Sequence, residues 1–430
     1  MKKINISREL FIRNRSRLVK ELKPGAVAII SANDELTRSG DQNYPYRQNS
    51  DLFYLTGLEQ EKCMLVLCPG HPDKNLREIV FTVKPDANVE TWGGHQLTKQ
   101  EIGKISGVQT VKWLDQFDLI IRDLIIQSEY VYLNSNEYVK YQTEVVYQSH
   151  RLICRLKDQF PLHHFERLAP ILVTLRTIKQ TEEINLIKEA CSITDSAFRR
   201  VLKFVKPGVS EYEIEAEITH EFITKGARGH AYEPIIGSGK NAMILHYTEN
   251  SETCKDGDLV LMDFGAEVGN YAADCSRTIP VNGKFTDRQK ACYEAVLRVQ
   301  KEAMKLYVPG NSCNDINKAV WKMMEKEMIV LGLFTENEVK KQNPDNPLYT
   351  KYLMHGVAHF IGLDVHDVGS KYQKLEKGMV ITCEPGLYIK EEGIGIRIEN
   401  DILVDNIPVD LMAHIPREID EIEELMITNS

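Results

Sequence analysis

Three histidines and two aspartates lie within one short stretch, MHGVAHFIGLDVHD at residues 354–367. His355 and His359 are four positions apart, a spacing that puts two zinc ligands on one helix face in the H-E-x-x-H motif. Gly356 stands where that motif has its glutamate, and the glycines and β-branched residues favour a loop or strand over a helix. The stretch is therefore predicted to supply one imidazole ligand and nearby donors to a site built mainly elsewhere.

Two aspartates mark a first predicted strand pair, DLVLMDFGAEVGNYAADCSRTIPV, with a turn at Gly269-Asn270. Asp263 follows the apolar run LVLM, where a buried free carboxylate would be costly unless it were paired or bound to a cation. Asp274 lies eleven residues later on the second strand. An alternative without chemistry is open, in which Asp263 only ends a strand and Asp274 pairs with Arg277.

A second predicted strand pair, GMVITCEPGLYI and GIGIRIENDILV, also carries acids. Glu384 lies in TCEPG, and alternation places Arg397, Glu399 and Asp401 on one face of their strand. For one strand alone, a solvated Arg-Glu-Asp face is the simpler interpretation. Two strand pairs that each present two carboxylates weaken that interpretation.

Four acids that converge in one cleft would repel each other unless cations lay between them. Carboxylate-rich ligation with one imidazole suits harder divalent ions such as Mn²⁺, with Co²⁺ or Zn²⁺ as alternatives. Two such ions, roughly 3.5–4 Å apart, would activate a shared water for attack and polarise a carbonyl. The chemistry predicted from the residues is therefore metal-assisted hydrolysis.

The elements that position these residues repeat along the second part of the chain. A periodic helix, TEEINLIKEACSITDSAFRRVLKFV, ends before Pro207-Gly208, and Ser210 with Glu213 forms a capping box for the next helix. Another helical pair occupies roughly residues 286–332, before the second strand pair. Helix, helix and acidic hairpin thus occur twice, which predicts a duplicated α+β domain with its site between the two halves.

The first part of the chain alternates strand-like runs with helical stretches, which predicts an α/β domain. The pattern changes in FPLHHFERLAPILVTLRTIK, around residues 160–175. We therefore expect an N-terminal domain at residues 1–172 and a catalytic domain at residues 173–430. The strand-like runs are GAVAIISA, CMLVLCP, EIVFTV and YVYLN.

Composition narrows the function class. The net charge of -9 argues against nucleic acid as a partner, because phosphate binding relies on clustered Lys and Arg. The nine cysteines are an odd number, scattered and without a C-x-x-C pair, which is typical of reduced thiols in the cytoplasm. The N-terminus has no apolar core of a signal peptide, and no apolar run approaches the roughly 18 residues of a membrane span.

The acids and one histidine fall in an order and spacing that resembles the pita-bread (creatinase/aminopeptidase) metallopeptidases. The flanking segments ILHYTEN, HGVAHFIGLDVHDVG, TCEPGLY and GIRIEND resemble the Xaa-Pro aminopeptidase (aminopeptidase P) family in particular. The segment QNSDLFYLTGLEQ is similar to the accessory domain of that family. The resemblance spans most of the chain and is strongest from about residue 171 onward. It rests on five residues, namely Asp263, Asp274, His359, Glu384 and Glu399.

The resemblance implies a role for each of these residues. Asp263 would bind one metal ion, His359 and Glu384 the other, and Asp274 and Glu399 would bridge the two. A hydroxide between the ions would attack the scissile carbonyl, with Glu384 handling its proton.

The resemblance also implies residues around the metals. His246 and His366 would act on the substrate side, where they stabilise the tetrahedral intermediate and the bound substrate. Three further residues would line or brace the pocket, namely His355, Tyr388 and Arg397.

The implied reaction is removal of the N-terminal residue from peptides with proline second. An X-Pro bond has no N–H, so a peptidase that docks through that group loses a contact. Trp92, in TWGGHQL, would complete the proline pocket from a neighbouring subunit of a homodimer or homotetramer; a tryptophan buried in the core is the alternative. Xaa-Pro dipeptidase (prolidase) and a metal-free binding protein of the same fold are the competing functions.

Overall fold

The structure is a computed structural model that describes residues 4–141 and 143–427. The described chain divides into two compact units, one of Asn5–Arg176 and one of the residues from Thr177 onward. No helix within these described ranges is long and apolar enough to cross a membrane.

The N-terminal unit is α/β, as the alternating pattern predicts. Its helices are α1 (Arg8–Glu21), α2 (Ser50–Thr56), α3 (Ala87–Gly93), α4 (Lys99–Ser106), α5 (Phe117–Ile126), α6 (Gln148–Gln159) and α7 (Ala169–Thr177). Its strands are β1 (Ala26–Ser31), β2 (Thr37–Ser39), β3 (Gln42–Asn43), β4 (Met64–Leu67), β5 (Glu78–Thr82), β6 (Thr110–Trp113), β7 (Tyr130–Leu133) and β8 (His164–Arg167). The four strand-like runs correspond to β1, β4, β5 and β7, which confirms them.

One mixed sheet forms the centre of this unit, in the order β6-β5-β4-β1-β7-β8. Strand β4 is antiparallel to β1 and β5, whereas β7 is parallel to β1 and β8. Apolar residues of the inner strands are buried against α5 and α6, for example Val27 and Val66 against Leu124 and Leu156. This burial explains why the inner strands are continuous apolar runs instead of alternating ones.

The second unit contains the helices α8 (Thr181–Phe204), α9 (Glu211–Thr224), α10 (Asp287–Met304), α11 (Cys313–Val330), α12 (Glu336–Lys341) and α13 (Ile419–Ile427). Its strands are β9 (Ile235–Ser238), β10 (Leu259–Phe264), β11 (Glu267–Val268), β12 (Tyr271–Ala272), β13 (Cys275–Pro280), β14 (Val380–Cys383), β15 (Gly386–Ile389), β16 (Ile394–Arg397), β17 (Asn400–Leu403) and β18 (Val409–Asp410). The order helix, helix, hairpin occurs twice, as predicted.

The first acidic hairpin forms as expected. Strand β10 pairs antiparallel with β13, and β11 with β12. Gly269 and Asn270 join β11 to β12 with φ of 56° and 64°, the left-handed pair that a tight hairpin turn requires. Helices α8 and α9 cover this hairpin through Phe198 and Phe222, whose rings pack on Phe264.

The second strand pair differs from the prediction in one respect. Residues 393–404 are not one strand, because β16 pairs with β15 while β17 pairs with β14 and β18 in another sheet. The chain changes sheets at Ile398 and Glu399. Arg397, Glu399 and Asp401 are all buried there, so the alternative of a solvated face is wrong.

Candidate metal centre

Asp263 and Asp274 lie together on the first hairpin. Asp263 is in β10 opposite Ser276 of β13, and Asp274 immediately precedes β13. The Tyr232 hydroxyl lies 2.6 Å from Oδ1 of Asp263 and 2.6 Å from Oδ1 of Asp274. One phenol therefore joins the two carboxylates.

Asp274 does not pair with Arg277, so that alternative from the sequence is wrong. The buried Arg277 guanidinium instead donates to carbonyl oxygens of Pro416, Ser276 and Glu399 and to the Asn400 side chain. Its hydrogen bond to the Glu399 carbonyl, 2.7 Å long, ties the first hairpin to the second acidic segment.

His359 lies in a loop, as the composition of residues 354–367 predicts. Its backbone N–H donates to Thr382 Oγ1, and its carbonyl accepts from the Thr382 N–H, which anchors the loop to β14. Ring atom Nδ1 lies 3.0 Å from the Phe360 carbonyl oxygen, a contact that requires the proton on Nδ1. The other ring nitrogen, Nε2, lies 3.4 Å from Asp274 Oδ2 and 3.6 Å from Glu384 Oε1.

Glu384 and Glu399 come from the second acidic segment. Glu384 follows β14 directly and its Oε1 accepts from Thr382 Oγ1 at 3.4 Å. Glu399 lies where the chain leaves β16, and its Oε2 accepts a 2.6 Å hydrogen bond from Ser276 Oγ. Ser276 thus holds a carboxylate of one hairpin from the other hairpin.

The five residues singled out in the sequence meet in one place. Ligand atoms of Asp274, His359 and Glu399 all lie within 4.8 Å of one another, and Asp263 and Glu384 join them through the contacts above. Burial, followed by the charge of Asp263, raises the pKa of Asp274 well above its usual range. Burial, followed by the charge of Asp274, does the same to the pKa of Glu399, and burial raises the pKa of Glu384.

These observations fit a bound divalent ion. Carboxylates this close and this buried are stable as anions only with positive charge between them. The donor set offers carboxylate oxygens and one imidazole nitrogen, Nε2 of His359, which suits a hard or borderline divalent cation.

Arg397 supplies positive charge at the edge of the cluster. Its guanidinium donates to Asp263 Oδ2 at 2.6 Å, to Ser276 Oγ at 2.7 Å and to the Tyr388 hydroxyl at 3.0 Å. The Tyr388 hydroxyl in turn lies 2.9 Å from Nε2 of His355. The three residues assigned to bracing the pocket therefore form one connected chain that ends on Asp263.

His355 is neutral at physiological pH in this environment. Burial, followed by the charge of Arg397, lowers its pKa to about 4. Nδ1 faces the Gly356 carbonyl oxygen at 2.8 Å and so carries the proton, which leaves Nε2 to accept from Tyr388. His246 lies near enough to contribute to the lowered pKa of His355.

Of the two remaining predicted residues, His366 contacts a proposed metal ligand and Trp92 is exposed. The His366 ring packs edge-on against the His359 ring, with centroids 4.5 Å apart. Trp92 is on α3 and is 92% exposed, so the alternative of a tryptophan buried in the core is wrong.

Sequence reasoning missed two groups, Tyr232 and Ser276. Tyr232 stands in GHAYEPIIGSG, and neither its type nor its spacing in that segment indicates a contact with Asp263. Ser276 is two residues after Asp274 in a segment predicted to be one strand, where alternation would put both side chains on the same side. That periodicity was a usable signal.

Comparisons with known proteins agree with this geometry. Residues 185–406 match Metallopeptidase family M24, and residues 11–132 match the family described as Aminopeptidase P, N-terminal domain. The Xaa-Pro aminopeptidase of Escherichia coli (strain K12) is 38% identical over 440 residues, covering 98% of this chain and 98% of the relative. That of Haemophilus influenzae is 35% identical over 437 residues, with 98% of both chains covered.

A solved structure shows the same architecture. Zinc-substituted E. coli aminopeptidase P in complex with product superimposes with a TM-score of 0.89 at 36% identity, covering 99% of this chain and 100% of that chain. The expected fold, an α/β domain followed by a duplicated pita-bread catalytic domain, is confirmed by this agreement.

Proposed function

The chain belongs to the M24 metallopeptidase family and is a metal-dependent hydrolase with aminopeptidase activity, and we propose that it cleaves the N-terminal Xaa-Pro bond of peptides. The observation that carries the proposal is the convergence of Asp274, His359 and Glu399 with two further acids. Full-length similarity to proteins named Xaa-Pro aminopeptidase supports the substrate class. In this proposal residues 173–430 carry the catalysis and residues 1–172 form an accessory domain.

The proposed metal ligands are the five residues of the cluster, which would hold two divalent ions. Mn²⁺ suits the oxygen-rich donor set best, with Co²⁺ and Zn²⁺ as alternatives. Asp274 and Glu399 are the proposed bridging ligands, a role that the family resemblance implies. They are the two most deeply buried of the four acids, and their ligand atoms and that of His359 lie within 4.8 Å of one another. When bound, such ions would lower the pKa of a coordinated water and polarise a carbonyl.

Glu384 is the proposed proton carrier. Burial raises the pKa of Glu384, a direction that favours a group that must both accept and release a proton. Oε1 accepts from Thr382 Oγ1, while Oε2 faces the His355 ring at 3.8 Å. Oε2 is therefore the oxygen assigned to take the proton of the attacking water and pass it to the leaving nitrogen.

His246 and His366 are the proposed substrate-side histidines. His366 packs on the ring of His359, and His246 lies on an exposed turn close to His355. Both can present imidazole N–H groups to the carbonyl oxygen that gains charge during attack. His355, Tyr388 and Arg397 are proposed to line or brace the pocket, since Arg397 donates to Asp263 and to Tyr388, whose hydroxyl contacts His355.

Proline specificity is proposed to involve Trp92. The tertiary amide of an X-Pro bond offers no N–H, so recognition must come from the ring and from the free N-terminus. An exposed tryptophan supplies a flat apolar surface for such a ring. We propose that Trp92 completes the pocket of a neighbouring subunit in a homodimer or homotetramer.

Hydrolysis of two substrates tests the function. Purified protein loaded in turn with Mn²⁺, Co²⁺ and Zn²⁺ is given an X-Pro dipeptide and an X-Pro-Y-Z peptide. An aminopeptidase cleaves the longer peptide well, whereas cleavage of the dipeptide alone would identify a prolidase and overturn the proposal.

Metal dependence is tested on the same preparation. Elemental analysis of active, chelator-free protein should find close to two transition ions per chain. Asp274→Asn and Glu399→Gln should abolish turnover while the protein remains folded. Full activity without metal would contradict the hydrolytic mechanism.

We also propose the cytoplasm as the site of action. The nine cysteines are all free thiols, and eight of them are buried. Free, buried thiols are typical of a reducing compartment. The net charge of -9 fits a protein without a nucleic-acid partner.

A further inference from the structure

Glu211, the first residue of α9, carries a fully buried carboxylate outside the metal centre. Its two oxygens accept four hydrogen bonds. Oε1 accepts from the Ser238 N–H at 2.7 Å and from Asn241 Nδ2 at 3.1 Å. Oε2 accepts from the Tyr247 hydroxyl at 2.8 Å and from the Glu252 N–H at 2.9 Å.

All four donors belong to residues 238–252, which we call the His246 segment. It runs from the end of β9 through the 3-10 turn Gly239–Met243 to the residues before β10. Tyr247, the residue directly after His246, donates to Glu211 and also accepts from the Ser251 N–H. One carboxylate therefore holds the start, the middle and the end of this segment.

Helix α9 provides the electrostatic reason that an anion can lie there. The N-terminus of a helix carries partial positive charge from its unsatisfied N–H groups, which stabilises a carboxylate in the first turn. The same helix holds the segment a second time, because Asn250 Nδ2 donates to Glu215 at 2.8 Å.

A glutamine cannot replace Glu211 at this position. Each carboxylate oxygen accepts from a backbone N–H, Ser238 on one side and Glu252 on the other. A glutamine amide has one acceptor end and one donor end. In either orientation its NH₂ would face a backbone N–H, and that donor would be left without an acceptor in a buried place.

We propose that Glu211 is a positioning residue for hydrolysis, which acts by holding the His246 segment so that His246 faces the substrate. The inference rests on the proposed role of His246. The geometry requires an acceptor at both ends of the residue 211 side chain, a condition that a carboxylate satisfies and an amide does not.

A double-mutant cycle with Glu211→Gln and His246→Ala tests this mechanism. Glu211→Gln should lower kcat/KM about 10- to 100-fold, since small displacements of positioned groups have effects of this order. In the His246→Ala background the same change should have almost no further effect, because the group that it positions is gone. Metal content per chain should equal that of the wild type.

Glu213→Gln is the matched control. It makes the same chemical change in the same helical turn, but Glu213 is exposed and only caps the Ser210 N–H, a role that glutamine also fills. Its kcat/KM should stay within about twofold of the wild type. Hydrogen exchange of residues 238–252 should be faster in Glu211→Gln and unchanged in Glu213→Gln.

Two outcomes would overturn the inference. One is a Glu211→Gln enzyme with kcat/KM within about twofold of the wild type. The other is a double variant whose fold-loss of kcat/KM equals the product of the fold-losses of Glu211→Gln and His246→Ala. If Glu211→Gln does not fold, Tyr247→Phe replaces it in the cycle, because it removes one of the four bonds and keeps the charge. The cycle uses whichever peptide the wild type hydrolyses, so a wrong proline preference would be seen separately.

Discussion

Ser276→Ala is a sharp test of how the two acidic hairpins cooperate. Ser276 is fully buried, and its hydroxyl donates to Glu399 Oε2 at 2.6 Å while it accepts from Arg397 Nε at 2.7 Å. The substitution removes one oxygen and leaves the charge of the site unchanged. Glu399 then loses the bond that orients it, and Arg397 Nε loses its acceptor.

The expected magnitude follows from the type of bond. A hydrogen bond to a charged group contributes about 1.5–3 kcal/mol. A tenfold change in affinity corresponds to about 1.4 kcal/mol. If the orientation of Glu399 is what the bond provides for metal binding, Mn²⁺ affinity should fall about 10- to 100-fold.

The assay is competition of Mn²⁺ between the protein and a chelator of known affinity, supported by calorimetric titration. Ser276→Thr, which keeps the hydroxyl, should restore most of the affinity. Ser196→Ala is the control, because Ser196 is half-buried on α8 and its hydroxyl donates to the Ser192 carbonyl of the same helix rather than to an acid of the cluster. Mn²⁺ affinity of Ser276→Ala within about threefold of the wild type would refute the assigned role.

Three further substitutions report on burial and charge. Gly265→Ala should destabilise the protein by at least about 3 kcal/mol, because a Cβ there would lie 1.7 Å from the Ala273 carbonyl oxygen. Arg277→Met should also cost at least about 3 kcal/mol, since it leaves several buried acceptors, among them the Glu399 carbonyl, without their donor. In chelator, Asp274→Asn should stabilise the protein more at pH 8 than at pH 5. Because the pKa of Asp274 is raised in the folded protein, the stability that its protonated carboxyl group contributes is fully present below the ordinary carboxyl pKa. That stability is lost as the pH rises toward the raised value, whereas the neutral asparagine does not titrate.

Controls and contrary results are specific to each substitution. Gly70→Ala meets open space, and Arg298→Met removes only surface ion pairs, so both should change the free energy of unfolding by less than about 1 kcal/mol. Thermal and urea unfolding measure these effects. A Gly265→Ala or Arg277→Met protein as stable as its control would contradict the packing argument. An Asp274→Asn effect that is equal at the two pH values would contradict the raised pKa.

Local features of the sequence were sufficient for much of the fold. The turn at Gly269-Asn270 and the Ser210–Glu213 capping box depend on residues within a few positions of each other, and both form as predicted. His359 also belongs to this class, because the carbonyl that sets its tautomer is that of the next residue. Short-range contacts of this kind can be inferred from residue type and spacing.

The residues alone also predicted that the acids would share a site, and the family resemblance selected His359 as the imidazole ligand. Two pairs of acids on two repeated hairpins, with one histidine-rich loop, predict a shared site because buried carboxylates need a cation. The sequence did not determine how they are held. Tyr232 reaches Asp263 over 31 residues, Ser276 reaches Glu399 over 123 and Arg397 reaches Asp263 over 134.

Only the tertiary structure decided these long-range partners. A hydroxyl or guanidinium can pair with any carboxylate that the fold brings within reach, and nothing in its local neighbourhood selects which one. The change of sheets at Glu399 has the same origin, because strand pairing across sheets depends on partners far along the chain. Residue type and spacing thus determined the chemistry of the site, and long-range packing decided its geometry.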